Sequence, residues 1–212
     1  MSAADVTAWL RERIRAGRFV PGQRLIEADL VRDTGSSRGR VREALQRLET
    51  EGLIVLEEFR GASVRSFTPD EMRQIYRTRM ALEGLAAFDC TERADAAQKA
   101  AIRDLQEQMN ACENTGDHAR FARLNDAWHD AIMTAAGNTY VRTFVERLRV
   151  PLYRLLFSTF YRSERIDDAN AGHRKITAAI LAGKAADAEH HMRAHVAEAM
   201  EVAVHLEDGI LR

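Results

Sequence analysis

Apolar residues recur at helical spacing through nearly the whole chain, and the exceptions cluster near the amino end. Val6, Leu10 and Ile14, with Trp9 beside them, predict a first helix that stops before Pro21-Gly22. Ile26–Asp33 predicts a short second helix with Leu30 and Val31 facing inward. Thr34-Gly35-Ser36 breaks it, and Gly35 is free to take positive φ. Val41, Leu45, Leu48 and Leu53 then set an apolar stripe along a third helix, which Gly52 ends. Leu53–Leu56 and Ala62–Arg65 read as two short strands around the turn Glu57–Gly61. Three helices and a two-stranded wing make a winged helix-turn-helix, placed at residues 1–67.

After the joint Ser66–Asp70 the pattern is helical almost without interruption. Thr68 can cap a helix that has Pro69 in its first position and Glu71 in its first turn. Six helices are expected, at about 69–92, 96–114, 117–136, 138–161, 164–182 and 184–206, with Gly116, Gly137-Asn138 and Gly183 at three junctions and a kink at Pro151. The fold class is therefore mainly α: the winged helix-turn-helix, then an all-α six-helix antiparallel bundle over 68–212.

Charge sharpens the reading of the first part. The formal net charge is −1, so the chain is not a generally basic nucleic-acid binder. Between Arg32 and Arg47, however, five arginines face two acids. Arg38, Arg40 and Arg42 crowd the first turns of the third helix, with Ser36 and Ser37 at its start as cap candidates. An arginine-rich helix end with a packed back suits the DNA major groove, where guanidinium forks pair with guanine edges or phosphates; an exposed, solvated helix is the alternative on this segment alone. The two cysteines suggest no disulfide framework. No apolar run approaches the ~20 residues of a membrane span, and the amino terminus lacks a signal peptide's apolar core. A cytoplasmic protein with no membrane partner is the expectation.

The bundle carries the other candidate chemistry. In Asn125-Asp-Ala-Trp-His129, residues four apart share a helix face, so Asn125 and His129 can point to one spot. His173 and His195 lie on the last two helices. Three histidines and an oxygen donor can hold a divalent ion such as zinc, nickel or manganese, although a histidine on a helix is more often a surface or satisfied core residue. His118, His190 and His205 are read that way; His191 lies four before His195 and can share its face. Trp128, Phe121, Leu124 and Ile132 read as bundle core.

The first part resembles the GntR family of transcription regulators. The residues that carry the resemblance are Pro21–Leu25, Ser37-Arg38, Val41–Leu45, Arg47-Leu48-Glu49, Glu51-Gly52-Leu53 and Arg60-Gly61-Ala62, over roughly residues 3 to 67. The resemblance implies DNA contacts from Arg38 and Arg42 and a wing tip at Gly61, with Ser36, Ser37 and Arg40 completing the DNA-binding set. Two positions depart from the family pattern: Gly39-Arg40 stands where Thr-Pro often follows Ser-Arg, and Ala28 stands where a DNA-contacting arginine is frequent.

The segment Asn125–Asn138, the His173-Arg-Lys-Ile176 stretch, and Gly183 followed by His195 resemble the FCD ligand-binding domain of FadR-type GntR regulators, in its shorter, VanR-like six-helix form. The resemblance implies a divalent metal inside the bundle, held by Asn125, His129, His173 and His195, with asparagine in the place of the usual aspartate. It further implies a small organic-acid or sugar-acid effector beside the metal, clamped by Arg79, with Arg154 as a second candidate and Tyr153 and Tyr161 as possible wall residues. A salt bridge with Glu83 one turn on is the competing role for Arg79. A homodimer on palindromic operator half-sites, in most cases a repressor relieved by its effector, completes the implied picture. Two other classes stay open: a regulator for which the metal itself is the signal, and a metal-dependent enzyme fused to a DNA-binding head. No general base stands clearly beside the histidines, so an enzyme is not expected.

Overall fold

The computed structural model describes residues 1–148 and 163–210. Pro151, Tyr153, Arg154 and Tyr161 lie outside the described residues, as does the side chain of His205. The chain forms two compact units, the first Met1–Phe67 and the second running from Thr68 to Gly209.

The first unit holds α1 (Ala3–Arg15), α2 (Glu27–Thr34) and α3 (Arg38–Thr50), with β1 (Arg24–Leu25), β2 (Ile54–Glu57) and β3 (Gly61–Val64). Ser2 and Asp5 close a capping box at the start of α1. Gly35 ends α2 in the left-handed region, at φ 62°, where a side chain would be strained. Val6, Leu10, Ile14, Leu30, Val41, Leu45 and Leu48 pack into one core with Ile54, Ala62 and Val64 of the sheet. Val31 packs on that core only partly buried. The sheet has three strands in the order β1-β3-β2, all antiparallel, with Val55 opposite Ser63 and Leu56 opposite Ala62. The two-residue β1 was not expected from the sequence. It is too short for any alternation to show, and it exists because Arg24 pairs with Ser63 and Leu25 with Ala62.

The second unit is helical: α4 (Pro69–Arg93), α5 (Ala96–Thr115), α6 (His118–Ala136), α7 (Thr139–Leu148), α8 (Ser163–Leu181) and α9 (Ala185–Ile210). Thr68 caps α4 as the sequence suggests. Its hydroxyl accepts from the Glu71 N–H at 3.2 Å, and the Glu71 carboxylate accepts from the Thr68 N–H at 2.7 Å. Gly116 and Gly137 end α5 and α6 at φ 63° and 68°. Phe121, Trp128 and Ile132 are fully buried, as is Met109 from the facing α5. Leu124 is only half-buried.

A polar chain runs through this core and is satisfied throughout. The Trp128 indole donates to the Thr177 hydroxyl at 3.0 Å, and that hydroxyl donates to Gln106 Oε1 at 3.1 Å. Gln106 donates to Asn170 Oδ1 at 2.8 Å, and Asn170 donates to Asn110 and Glu113. Arg174 closes the chain on Glu113. Buried amides and hydroxyls are tolerated because each has a partner.

Candidate functional site

Asn170, His173 and Thr177 stand three and four residues apart, so α8 turns one polar edge into the core. Asn170 and Thr177 meet the chain just described. His173 meets two other imidazoles instead: His129 from α6 and His195 from α9. Among the described residues these three converge closely enough to hold an ion, one ligand atom of each lying within 4.8 Å of the others. Nitrogens on one zinc or similar ion, at about 2.1 Å each, sit at most about 4.2 Å apart, so modest ring movements would close the set.

The fit of a metal rests on unmet hydrogen bonds. Both nitrogens of His173 and Nδ1 of His195 are buried without a partner. An unpartnered buried donor or acceptor costs roughly 1–3 kcal/mol, and the neighbouring amides show that this core can provide partners. The rings are also held neutral. Burial lowers the His173 pKa well below its ordinary value, with His195, His129 and Arg174 adding to the effect. Burial and His129 push His195 down to about 3, against the pull of Glu83. Neutral imidazoles offer the lone pairs that a metal needs.

Glu83 on α4 completes the electrostatics. Its side chain is 2% exposed and sits between Arg79, whose Nε donates to Oε1 at 2.7 Å, and His129, whose Nδ1 lies 3.4 Å from Oε2. Burial would raise this carboxyl, but Arg79, together with His129, holds it well below the usual carboxylate range. A Nδ1 proton facing Glu83 leaves Nε2 of His129 as the free ligand atom, the arrangement in which an outer carboxylate orients a metal-binding imidazole. The Arg79–Glu83 pair was foreseen at one-turn spacing; the reach of Glu83 to His129 was not, because it joins residues 46 positions apart. Arg79 stacks 4.8 Å from the centre of the buried Tyr76 ring. Asn125 is half-buried on α6, one turn before His129.

Gly172 carried no signal of its own in the sequence. A β-carbon there would lie 2.8 Å from His195 Nδ1 and 3.5 Å from Cγ. The lack of a side chain at 172 makes the room for the His195 ring.

In the first unit, α3 exposes Arg38, Arg40 and Arg42 on the side opposite its buried Val41, Ala44, Leu45 and Leu48. The Nε of Arg42 donates to both oxygens of Glu27 on α2, at 3.0 and 3.1 Å. Arg40 donates to the Met1 carbonyl at 3.3 Å. Ser36 is buried and its hydroxyl donates to the same carbonyl at 3.1 Å, so that side chain supports the fold and does not face outward. Ser37 occupies the N-cap position, but its hydroxyl makes no capping bond. Gly61, at φ 83°, follows the exposed turn of the β2–β3 hairpin.

Residues 2–64 match the family model described as bacterial regulatory proteins, gntR family, and residues 74–198 match the FCD domain. Over 202 residues the chain is 27% identical to the HTH-type transcriptional regulator YdhC of Bacillus subtilis (strain 168), covering 94% of this chain and 90% of that one. It is 28% identical over 206 residues to the HTH-type transcriptional repressor GlaR of Escherichia coli (strain K12), covering 92% and 93%. The solved structure of E. coli McbR/YncC shares the fold, with a TM-score of 0.71 over 97% of both chains at 20% identity. The matched families and relatives are transcription regulators, not enzymes. Among the described residues no helix is long and apolar enough to cross a membrane. The chain therefore belongs to the GntR family: a DNA-binding transcription regulator with a winged-helix head and an FCD domain.

Proposed function

We propose that this regulator is a repressor whose operator affinity is set by a small organic acid or sugar acid bound beside a divalent metal in the FCD domain. His129, His173 and His195 hold the metal, with Asn125 as the oxygen donor. The observation that carries this reading is the meeting of three histidine rings, with both nitrogens of His173 and Nδ1 of His195 buried without hydrogen bonds beside amides and hydroxyls that all have partners. The metal would supply a Lewis-acid anchor for a carboxylate oxygen. Arg79 would hold the other end of the acid with the edge of its guanidinium that Glu83 leaves open. The relative GlaR is named a repressor, which supports the sign of regulation.

At the DNA, Arg38, Arg40 and Arg42 are the base and phosphate contacts, Ser37 offers a free hydroxyl to a phosphate, and Gly61 lies in the wing. A cytoplasmic homodimer would place two α3 helices on palindromic half-sites about one helical turn apart. Effector and operator then alter each other's affinity reciprocally. The two units carry these roles as residues 1–67 and 68–212.

One observation favours a second reading, in which the metal alone is the signal. Arg79 is already committed to Glu83 through its Nε. Titrating operator affinity with metal in the absence of any acid separates the two. The test of the site itself is elemental analysis of the purified protein beside the triple variant His129→Ala, His173→Ala, His195→Ala. About one divalent ion per chain, absent from the variant, is the expected result. No ion in either protein after soaking with zinc or nickel refutes the metal reading.

A further inference from the structure

The tip of the β2–β3 hairpin carries a side chain that the fold does not use. Phe59 is 97% exposed, while Ile54, Leu56 and Val64 of that hairpin pack on the core of the first unit. Its backbone is unusual as well. The Arg60 N–H donates to the Glu57 carbonyl at 3.1 Å, which closes a turn with Phe59 in its third position. Phe59 there takes φ 63°, the one positive φ at a non-glycine among the described residues. Glycine or asparagine suits that place, and a bulky residue in it is a rarity. The chain thus holds an aromatic ring out in water on a backbone that disfavours it.

Charge narrows what the ring can meet. Glu57, Glu58 and Arg60 surround it, and Arg60 lies 3.4 Å from the Glu57 carboxylate. The tip therefore offers a phosphate backbone no net positive charge, and any hold on DNA at this point has to be apolar. The hairpin is also fixed to α3: the Leu53 N–H donates to the Leu48 carbonyl at 2.9 Å, and the Leu56 N–H to the Glu49 carboxylate at 3.3 Å. When α3 meets a duplex, the tip is carried with it as part of one body.

We propose that Phe59 is a wedge residue: its ring enters the minor groove of the bound duplex and stacks against an opened base step. Such wedges favour steps that unstack cheaply, above all pyrimidine–purine steps, and they add affinity without adding charge. Phe59 would thereby contribute sequence preference at base pairs that the arginines of α3 do not touch.

The test uses the full chain and an end-labelled duplex recovered from a randomised library by the unaltered protein. Phe59→Gly removes the ring and suits the backbone, so this variant folds with a melting temperature at or above the parent's. Its dissociation constant for the duplex rises roughly 5- to 100-fold, the scale of one base–aromatic stack. The slope of log affinity against log salt stays unchanged, because every phosphate contact remains in place. Phe59→Trp keeps tight binding, and the emission of the introduced indole is quenched on the duplex beyond any change from Trp9 and Trp128. Phe59→Gly binding within about twofold of the parent overturns the proposal. So does an indole whose emission the duplex leaves unaltered. A ring that serves contact between two copies of the chain gives that same unaltered emission, with a change in oligomeric state for Phe59→Gly.

Discussion

Adding a single methyl group at Gly172 should damage the metal site while leaving the bundle intact. The glycine lies inside α8, where alanine is the better helix former by about 0.8–1 kcal/mol. Against that gain, the new β-carbon would stand 2.8 Å from His195 Nδ1. The comfortable separation for such atoms is about 3.5 Å. Overpacking of this size costs roughly 1–3 kcal/mol, so the two effects nearly offset and the metal-free protein should melt within a few degrees of the parent. The ring has little space to yield into, since its centroid lies 4.3 Å from that of His173 and 5.7 Å from that of His129. It must move by more than half an ångström in total, whereas a metal tolerates ligand distances only within about 0.2 Å. Losses of 10–100-fold follow when even an outer-shell partner of a metal ligand is removed, so at least that loss of zinc affinity is expected here. Zinc competition against a chromophoric chelator would measure it, with thermal melts of the metal-free forms alongside. Gly172→Ala that holds zinc as tightly as the parent would refute the argument that His195 is a ligand placed by the absent side chain.

Three further outcomes follow from the same geometry. Glu83→Gln leaves the half-buried Arg79 without its charge partner and should lower unfolding stability by about 2–4 kcal/mol in urea titration; a loss below about 1 kcal/mol would show that the pair is not desolvated as the structure has it. The metal-free protein should be most stable above pH 6.5 and lose stability as the pH falls, because His173 and His195 have folded pKa values below their unfolded ones and the unfolded chain takes up protons first. Each contributes up to about 1.4 kcal/mol per pH unit, over a window that for His195 extends to about 3, and a melting temperature independent of pH between 7.5 and 5 would contradict this. Arg42→Ala should abolish specific operator binding in a gel shift, yet shift stability by no more than about 1 kcal/mol, since the ion pair with Glu27 is exposed; unchanged DNA affinity would sink the assignment.

The elements of the fold were legible because each is set by neighbours in sequence. The Thr68-Pro69-Glu71 start of α4 and the glycine stops at 116 and 137 are local devices, and they act where they stand. The arginine face of α3 was legible for the same reason, since Val41, Leu45 and Leu48 bury one side and leave the other to Arg38 and Arg42. What the local pattern could not yield is pairing at a distance. Strand β1 exists only because β3 lies beside it, and the hydroxyl of Ser36, expected as a cap, is taken by the Met1 carbonyl 35 residues away.

The bundle site shows the same limit more sharply. Asn170, His173 and Thr177 are equivalent in the sequence: three polar residues at helical spacing, all facing the core of α8. Only the structure separates them. Asn170 finds its partners on α5, and Thr177 on both α5 and α6, so their burial is explained by the fold. His173 is just as buried and finds none; it finds two more imidazoles. In a core that satisfies its amides and hydroxyls so thoroughly, three buried nitrogens left unmet among facing histidines are not a packing accident, because any apolar side chain of similar volume would remove their desolvation cost. The cost is consistent with a group that arrives after folding and binds there. Glu83 and Gly172 belong to the same inference. One fixes the orientation of His129, and the other clears the volume for His195.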